Sequence, residues 1–328
     1  MRRPGIASTK SSAFNTSAEA MTVASVLLPE RSRLAGVALA GEVARAFGRA
    51  DREQCQPGSE AQLRRHFALP SGSWPVAALT RQRDAGDAGD SLWLRADPAY
   101  VVPDMQGARL MAHGDMLVID AVDLDALLPA LQELFAENGL ALDAPDPTRW
   151  YLRVPPGQAL PAFTAPAQVL GADLFDYLPQ GEDARRWRAL LTDAQVLLHQ
   201  HPWNRERVAR GQTAINSLWF WGGGALPATV ATAHVQVRSR EPLLCALAQA
   251  AGIGPDQTQA SRVDALIDLR QLRAPEQFVG ELMQPLLRAL REGELQQVLL
   301  DFEDGACFRI AGTQRWRFWR RPLARLHG

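Results

Sequence analysis

Polar side chains that can bind an anion are concentrated between residues 199 and 224 of the 328-residue chain. Pro202 ends a predicted helix, and four side chains of the polar turn expected after it carry guanidinium or amide groups. Such groups, held close together, can grip a phosphate or carboxylate in water. A solvated turn with partners such as Glu206 explains the same letters. The side chains concerned are Asn204, Arg205, Arg207 and Arg210.

Three consecutive glycines, Gly222, Gly223 and Gly224, follow the segment INSLWFW. That segment carries apolar side chains on both faces, which is typical of a central strand covered on two sides. The glycines then fall at a strand end, where open α/β sheets bind ligands, and they permit close backbone approach. A bulge or tight turn would use the same glycines, and no GK[ST] follows them to form a phosphate loop.

An acidic segment, DFEDG at 301–305, offers a second kind of chemistry at a strand end. Asp301 and Glu303 can point the same way and share a divalent cation, with Asp304 beside them. A turn at Asp304–Gly305 that leads into a C-terminal hairpin explains these residues without a metal. We therefore predict no metal site and keep these three acids as its only candidates.

Composition limits the partners of the chain. A net charge of −1 gives no general reason for binding nucleic acid or an anionic membrane, and we predict neither as a partner. The C-terminal run QRWRFWRR mixes basic and aromatic residues as nucleic-acid binders do, but its alternation predicts an amphipathic edge strand instead. Three scattered cysteines without a CxxC pair argue against a disulfide scaffold, and the reducing cytoplasm is the predicted location.

Strands and helices alternate beyond residue 233, which predicts an α/β fold with a mainly parallel sheet flanked by helices. Strands and a helix in the middle of the chain predict an inserted α+β subdomain, preceded by a Gly- and Asp-rich loop. The predicted divisions are a disordered tail at 1–21, the first part of the α/β core at 22–91, the inserted subdomain at 92–180 and the rest of the core at 181–328.

The segment PQGEDARRWRALLTDAQVLLHQHPWNRERVARGQTAINSLWFWGGGALP resembles the archaeal-type, cofactor-independent phosphoglycerate mutases, which belong to the alkaline-phosphatase superfamily. Those proteins carry HPxNxxR at a helix end, then a strand with Asn and W-x-W-G-x-G. The resemblance covers about fifty residues, and it implies an alkaline-phosphatase-like core. Within it, RWYLR, LFDYLPQG and NSLWFWGGG are similar to the bacterial RpfE-type regulatory proteins. The resemblance adds Asn216 and Trp219 to the predicted ligand-binding residues.

The mutases use two divalent metals and a Ser or Thr nucleophile, and their metal motifs have no counterpart here. TVASVLLPERSR has no aspartate at its strand end, and VLLDFEDGACFRI has no histidine. Half a ligand set cannot perform two-metal chemistry. We therefore predict a non-catalytic, regulatory or ligand-sensing protein without a cofactor, with a remnant pocket for a phosphorylated small molecule. The alternatives are an active mutase or phosphohydrolase that uses Mn or Zn, and a protein-interaction module with a protein partner.

Overall fold

The structure, a computed structural model, describes residues 22–70, 74–104, 107–254 and 264–326. These residues form two compact units. The first consists of the described residues of Met1–Pro57 and Gln259–Gly328, and the second of those of Gly58–Thr258. In the sequence, the second unit therefore lies between the two segments of the first, whereas the predicted subdomain was the range 92–180. The predicted tail at 1–21 lies outside the described residues.

The strands of both units are numbered in chain order. They are β1 (Val23–Leu28), β2 (Asp51–Gln54), β3 (Leu92–Asp104), β4 (Gly107–His113), β5 (Ala141–Asp146), β6 (Arg149–Val154), β7 (Ser217–Ala225), β8 (Gln236–Arg238), β9 (Ala265–Asp268), β10 (Gln297–Phe302) and β11 (Ala306–Ala311).

The α-helices follow the same convention. They are α1 (Gly41–Arg49), α2 (Ser59–Arg64), α3 (Val76–Asp84), α4 (Ala121–Glu137), α5 (Pro166–Val169), α6 (Ala184–Gln200), α7 (Pro202–Ala209), α8 (Pro242–Ala250), α9 (Pro275–Gln277) and α10 (Gln284–Glu292). A π-helical turn at Phe278–Met283 joins α9 to α10, so this helical segment is widened at its centre.

Five strands of the first unit form a mixed sheet in the order β2-β11-β10-β1-β9. β1 is parallel to both β10 and β9, whereas β10, β11 and β2 pair antiparallel. The apolar sequence VASVLL suits β1 because a parallel strand inside a sheet is covered on both faces. Four phenylalanine rings pack in tilted or edge-to-face pairs in the core on one side of this sheet: Phe47, Phe278, Phe302 and Phe308. The predicted α/β class is confirmed, with a mixed rather than a mainly parallel sheet.

The second unit contains an antiparallel sheet in the order β4-β3-β6-β5, with β7 paired to β3. In the 13-residue β3, residues 92–95 pair with β6, 92–99 with β7 and 99–104 with β4. α4 and α6 cover the sheet with apolar side chains such as Leu131, Phe135 and Trp187, which pack against Phe220 of β7. The strand INSLWFW therefore belongs to an antiparallel sheet, and its expected place in the parallel core was wrong.

Three local predictions also need correction. α3 lies within the segment 71–91 that was predicted to be a loop. α7 replaces the polar turn expected after Pro202, because proline at the first helical position is compatible with a helix that starts there. The predicted turn at Asp304–Gly305 is present between β10 and β11. The run QRWRFWRR is not a strand: it contains the end of the 3-10 turn Gly312–Trp316 and then irregular structure.

Candidate anion-binding site

Asn204 of α7 uses its amide group entirely within the protein. Its Nδ2 donates to the backbone oxygens of Leu198 and Ile215, both at 2.8 Å, and its Oδ1 accepts from the Ile215 N–H at 2.9 Å. The side chain is 5% exposed. Asn204 thus ties the end of α6 to the residues before β7, which satisfies backbone groups that the helix end leaves unpaired. This role replaces the predicted contact with a ligand.

Arg207 has no exposed surface and is bound on all sides by the protein. Its guanidinium forms an ion pair with Asp123 of α4 and donates to the backbone oxygens of Thr213 and Val118. Burial alone would raise the pKa of Asp123, but hydrogen bonds from Arg207 and Trp203 outweigh it and hold that pKa below its usual range. A buried guanidinium that already holds a carboxylate has no face to offer an anion from solvent.

The two other predicted arginines of α7 lie on its outer surface. Arg205 is exposed, and Arg210 forms an exposed ion pair with Glu206 at 3.0 Å. The Arg210 guanidinium also lies 4.6 Å from the centre of the Trp203 ring. Because Arg207 faces the interior while Arg205 and Arg210 face solvent, the predicted cluster does not converge on one pocket.

Asn216 continues the sheet with its side chain. Its Oδ1 accepts from the Val101 N–H and its Nδ2 donates to the Val101 carbonyl, each at 2.8 Å. These bonds lie where the pairing of β3 and β4 shifts register between Tyr100 and Val101. The amide therefore substitutes for a peptide group at an irregular point of the ladder. Its polar atoms serve the sheet and are not directed at a ligand.

The glycine triplet lies inside β7, not in a loop after it. A Cβ at Gly222 would approach Val76 of α3 to 2.8 Å, and one at Gly224 would approach Pro75 to 2.6 Å. At Gly223 the obstacle would be Leu160, at 2.7 Å. These glycines let α3 and its neighbours pack directly on the strand. The groups that come close to the backbone of these glycines are side chains of the protein itself.

Trp219 completes the predicted set and is 3% exposed. Its indole N–H donates to the carbonyl of Thr164 at 2.9 Å, and its ring packs against Val169 and Leu174. An indole buried in this way satisfies its one donor and contributes apolar contacts. The side chain therefore belongs to the core of the second unit.

The three acidic residues considered as metal ligands, all in the first unit, have different surroundings. Asp304 pairs with Arg31 at 2.7 Å and accepts from the Ala306 N–H in the turn before β11. Asp301 is 1% exposed on β10, and Glu303 is half-buried in the turn. Within the described ranges, no group of three or more His, Cys, Asp or Glu residues could hold a metal ion.

A buried charged network on β3 and β7 was missed by sequence reasoning. Arg95 donates to Asp97 at 2.7 Å, and the Trp221 indole N–H donates to the other oxygen of Asp97, also at 2.7 Å. The guanidinium of Arg95 lies 5.4 Å from the Trp221 ring centre. The signal was available: Arg95 and Asp97 are two residues apart on a strand, which places both on one face.

The network continues from Arg95 to a second carboxylate. Arg95 lies 5.2 Å from the ring centre of Tyr151, whose hydroxyl donates to Asp84 at 2.6 Å. Asp84 also accepts two hydrogen bonds from Arg149. Burial, the largest cause, raises the pKa of Tyr151 above its ordinary value, so the phenol keeps its proton and acts as a donor. The network links α3 to β3, β6 and β7 through satisfied charges.

A segment of the chain is homologous to 2,3-bisphosphoglycerate-independent phosphoglycerate mutases. It is 33% identical over 89 residues to the probable enzyme of Geobacter sulfurreducens, covering 27% of this chain and 22% of that protein. It is 39% identical over 64 residues to the enzymes of Methanothrix thermoacetophila and Methanosarcina acetivorans, covering 20% of this chain and 16% of each. The match spans less than a quarter of each relative's length. No family model matches the chain.

Two solved structures resemble the whole chain weakly. A cofactor-independent phosphoglycerate mutase from Thermoplasma acidophilum has 14% sequence identity and a TM-score of 0.40, covering 88% of this chain and 89% of that one. A protein from Pyrococcus horikoshii has 12% identity and a TM-score of 0.48, covering 89% and 88%. In the described part of the chain, no helix combines the length and apolar character needed to cross a membrane.

Proposed function

We propose that this chain is a phosphoglycerate-mutase-like protein of the RpfE regulatory type that does not catalyse phosphoryl transfer. The observation that carries the proposal is the use of Asn204 and Arg207. Both residues belong to the motif that resembles the mutases. Their polar groups bind the protein itself and connect α4, α6, α7 and the residues before β7. Similarity over this segment therefore accounts for a shared scaffold without requiring a shared reaction.

The acidic side chains of the first unit support the same proposal. Two-metal phosphoryl transfer needs two metal ions about 4 Å apart, each held by several carboxylate or histidine ligands. Asp304 already pairs with Arg31, and the residues described by the structure contain no suitable cluster. A regulatory role in the cytoplasm, exercised by binding a phosphorylated small molecule, remains part of this proposal.

The test is a coupled assay for interconversion of 3- and 2-phosphoglycerate by the full chain, with Mn²⁺, with Zn²⁺ and with EDTA. We expect no turnover above that of a parallel preparation of Asp301→Asn/Asp304→Asn. Metal-dependent turnover that this double variant abolishes would instead establish an active mutase. Turnover that the double variant retains points to a contaminating enzyme, which a further chromatographic step removes.

A protein-interaction module is the second candidate function, because three large aromatic side chains near the end of the described chain are exposed to solvent. Trp316, Phe318 and Trp319 are 66%, 79% and 68% exposed, and the latter two rings stack edge to face at 5.5 Å. Large aromatic side chains that are exposed together mark interaction surfaces more often than isolated ones do. Sedimentation at increasing concentration tests whether a second copy covers them: Phe318→Ser/Trp319→Ser should dissociate such a dimer, and a monomeric wild type excludes it.

A further inference from the structure

A groove in the first unit carries positive charge that the described residues around it do not neutralise. It has a volume of about 810 Å³ and lies among α1, α10, β10, β11 and the 3-10 turn after β11. Its lining contains four arginines and one glutamate, a net charge of +3. The charged residues are Arg45, Arg49, Arg291, Arg315 and Glu42.

Among the residues that the structure describes, only Arg291 of these four arginines is paired with a carboxylate. Arg291 holds Glu42 at 2.7 Å, whereas Arg45 and Arg49 make no ion pair or hydrogen bond through their guanidinium groups within the part of the chain that is described. Arg315 lies 5.1 Å from the ring centre of its neighbour Trp316 and holds no carboxylate there either. Arg45 and Arg49 are four residues apart on α1, so they lie on the same helical face.

The floor of the groove is apolar. Leu287 and Leu290 of α10 and Ile310 of β11 line it, and the exposed ring of Trp316 stands at its rim. Small-molecule sites combine such an apolar lining with a few polar groups, within volumes of roughly 300–1,000 Å³. The combination selects for two properties in one ligand: an apolar body and an anionic head.

We propose that this groove binds a small organic anion whose carboxylate, sulfonate or phosphate is held by Arg45 and Arg49 and whose apolar part lies against α10 and Trp316. Arginine suits this task because its planar guanidinium presents paired donors to such oxygens. The proposal does not depend on the proposed function, because no residue of the motif shared with the mutases lines the groove.

The experiment uses two fluorescent probes that differ chiefly in charge: anilinonaphthalene sulfonate and its uncharged counterpart N-phenylnaphthylamine. We expect saturable binding of the sulfonate to the full chain, weakened about tenfold in Arg45→Gln/Arg49→Gln, while binding of the neutral probe changes less than about twofold. Trp316→Ala should weaken both probes. Arg288→Gln, on the same helix as Leu287 but outside the lining, is the matched control and should change neither.

Circular dichroism and the urea midpoint must be the same in every variant compared. The proposal is overturned if the sulfonate does not bind saturably, if both probes lose affinity equally in the double arginine variant, or if Arg288→Gln has the same effect as that variant. Inorganic phosphate, which has no apolar part, is tested as a competitor of the sulfonate probe. If phosphate displaces the probe at concentrations as low as those at which the probe itself binds, the apolar floor contributes nothing, contrary to the proposal.

A second, independent observation concerns Cys55 and Cys307, whose sulfur atoms are 3.8 Å apart. Cys55 follows β2 and its N–H donates to Gly305, while Cys307 lies on the paired strand β11. The two residues are 252 positions apart in the chain. A disulfide bond is about 2.05 Å long, so the sulfurs need to approach by less than 2 Å.

We infer that this pair is a site of reversible oxidation by a hydroperoxide. The half-buried Cys55 is the more accessible thiol, and its thiolate attacks the peroxide to give a sulfenic acid and water, or an alcohol. The Cys307 thiol then attacks the sulfenic sulfur, the S–O bond breaks, its oxygen leaves as water and the disulfide forms. Two thiols are thereby oxidised by two electrons in total, and one hydroperoxide is reduced. The disulfide would join the two chain segments that form the first unit, between which the second unit lies in the sequence.

Oxidation of the full chain with hydrogen peroxide, followed by alkylation and non-reduced peptide mapping, tests the inference. A peptide linking Cys55 to Cys307 is expected in the wild type and in Cys245→Ser, together with a rise in Tm that a reductant reverses. Cys55→Ser should yield neither the linked peptide nor the rise in Tm. Over-oxidised Cys55, or cross-links between separate chains without an internal one, would contradict the inference.

Discussion

Asp123 on α4 holds Arg207 on α7 where neither side chain meets solvent, with exposures of 3% and 0%. The Nε and Nη2 groups of Arg207 donate to the backbone oxygens of Thr213 and Val118. This arrangement makes the pair part of the tertiary structure that joins two helices. Arg207 lies in the segment that resembles the mutases, and its contacts show that it stabilises the fold.

The first prediction follows from this pair. Arg207→Ala should lower the free energy of unfolding of the second unit by about 3–5 kcal/mol, because it leaves the Asp123 carboxylate buried without a counter-charge. Arg205→Ala, on the exposed side of the same helix, should change it by less than about 0.5 kcal/mol. Urea unfolding followed by tryptophan fluorescence measures both. Equal effects of the two variants would contradict the assignment of Arg207 to the core.

Asn204 gives a sharper test, because Asn204→Asp keeps the shape of the side chain but replaces its two N–H donors with a charged acceptor. Asn204→Asp keeps an acceptor for the Ile215 N–H but places carboxylate oxygen against the carbonyls of Leu198 and Ile215. We expect a loss of about 3 kcal/mol or more in the free energy of unfolding. The loss should diminish in acid, where protonation restores a donor. A variant as stable as the wild type at neutral pH would show that the amide is oriented differently.

The glycines of β7 can be tested against a matched glycine elsewhere. Gly222 and Gly211 both have positive φ, at 66° and 75°, but only Gly222 would bring an added Cβ against another side chain, that of Val76. Gly211→Ala should cost about 1 kcal/mol through backbone strain alone. Gly222→Ala should cost about 1–3 kcal/mol more because of the collision with α3. Urea midpoints of the two variants make the comparison, and equal midpoints would mean that α3 can move aside.

A pair of histidines should make the stability of the second unit depend on pH. His66 Nδ1 and His234 Nε2 are 2.9 Å apart, and burial, reinforced by His66, lowers the pKa of His234 from 6.5 to about 4. Between these values the unfolded chain binds a proton that the folded chain does not. The stabilisation is therefore fully present above pH 6.5 and is lost as the pH falls toward 4.

His234→Gln should flatten the pH dependence in this range relative to the wild type, since glutamine does not titrate. The difference in the free energy of unfolding between the two proteins, measured at intervals from pH 7 to pH 4, isolates this residue from the carboxylates. A constant difference across the range would show that His234 does not titrate with a lowered pKa.

How far the sequence predicts the structure can be judged from particular residues. Periodicity located α6 and α10 because a helix that packs on one face repeats its apolar residues every three or four positions. It misassigned β7, because a strand covered on both faces has the same apolar letters in a parallel and in an antiparallel sheet. The pairing of Trp219 with Asp97 of β3 depends on residues more than a hundred positions away, which no local pattern contains.

The residues of the predicted site are separated in the structure for a related reason. Arg207 and Arg210 are the same residue type three positions apart, and the sequence gives each the same capacity to bind an anion. The structure separates them by burial: one faces Asp123 and the other faces solvent. The arginines of the groove, Arg45 and Arg49, were passed over because their surroundings include β11 and α10, which lie at the other end of the chain.

The parallel pairing of β1 with β10, from Val23↔Gln297 to Leu28↔Phe302, has a consequence for synthesis of the protein. The apolar strand VASVLL leaves the ribosome among the first described residues, and its partner follows only after the whole inserted unit. At roughly 5–20 residues per second, the delay is about 15–60 s. During that time both edges of β1 are unpaired, because its partners β9 and β10 both follow the second unit in the chain. Cellular yield should therefore depend on protection of this one strand by chaperones more than on the stability of the finished fold.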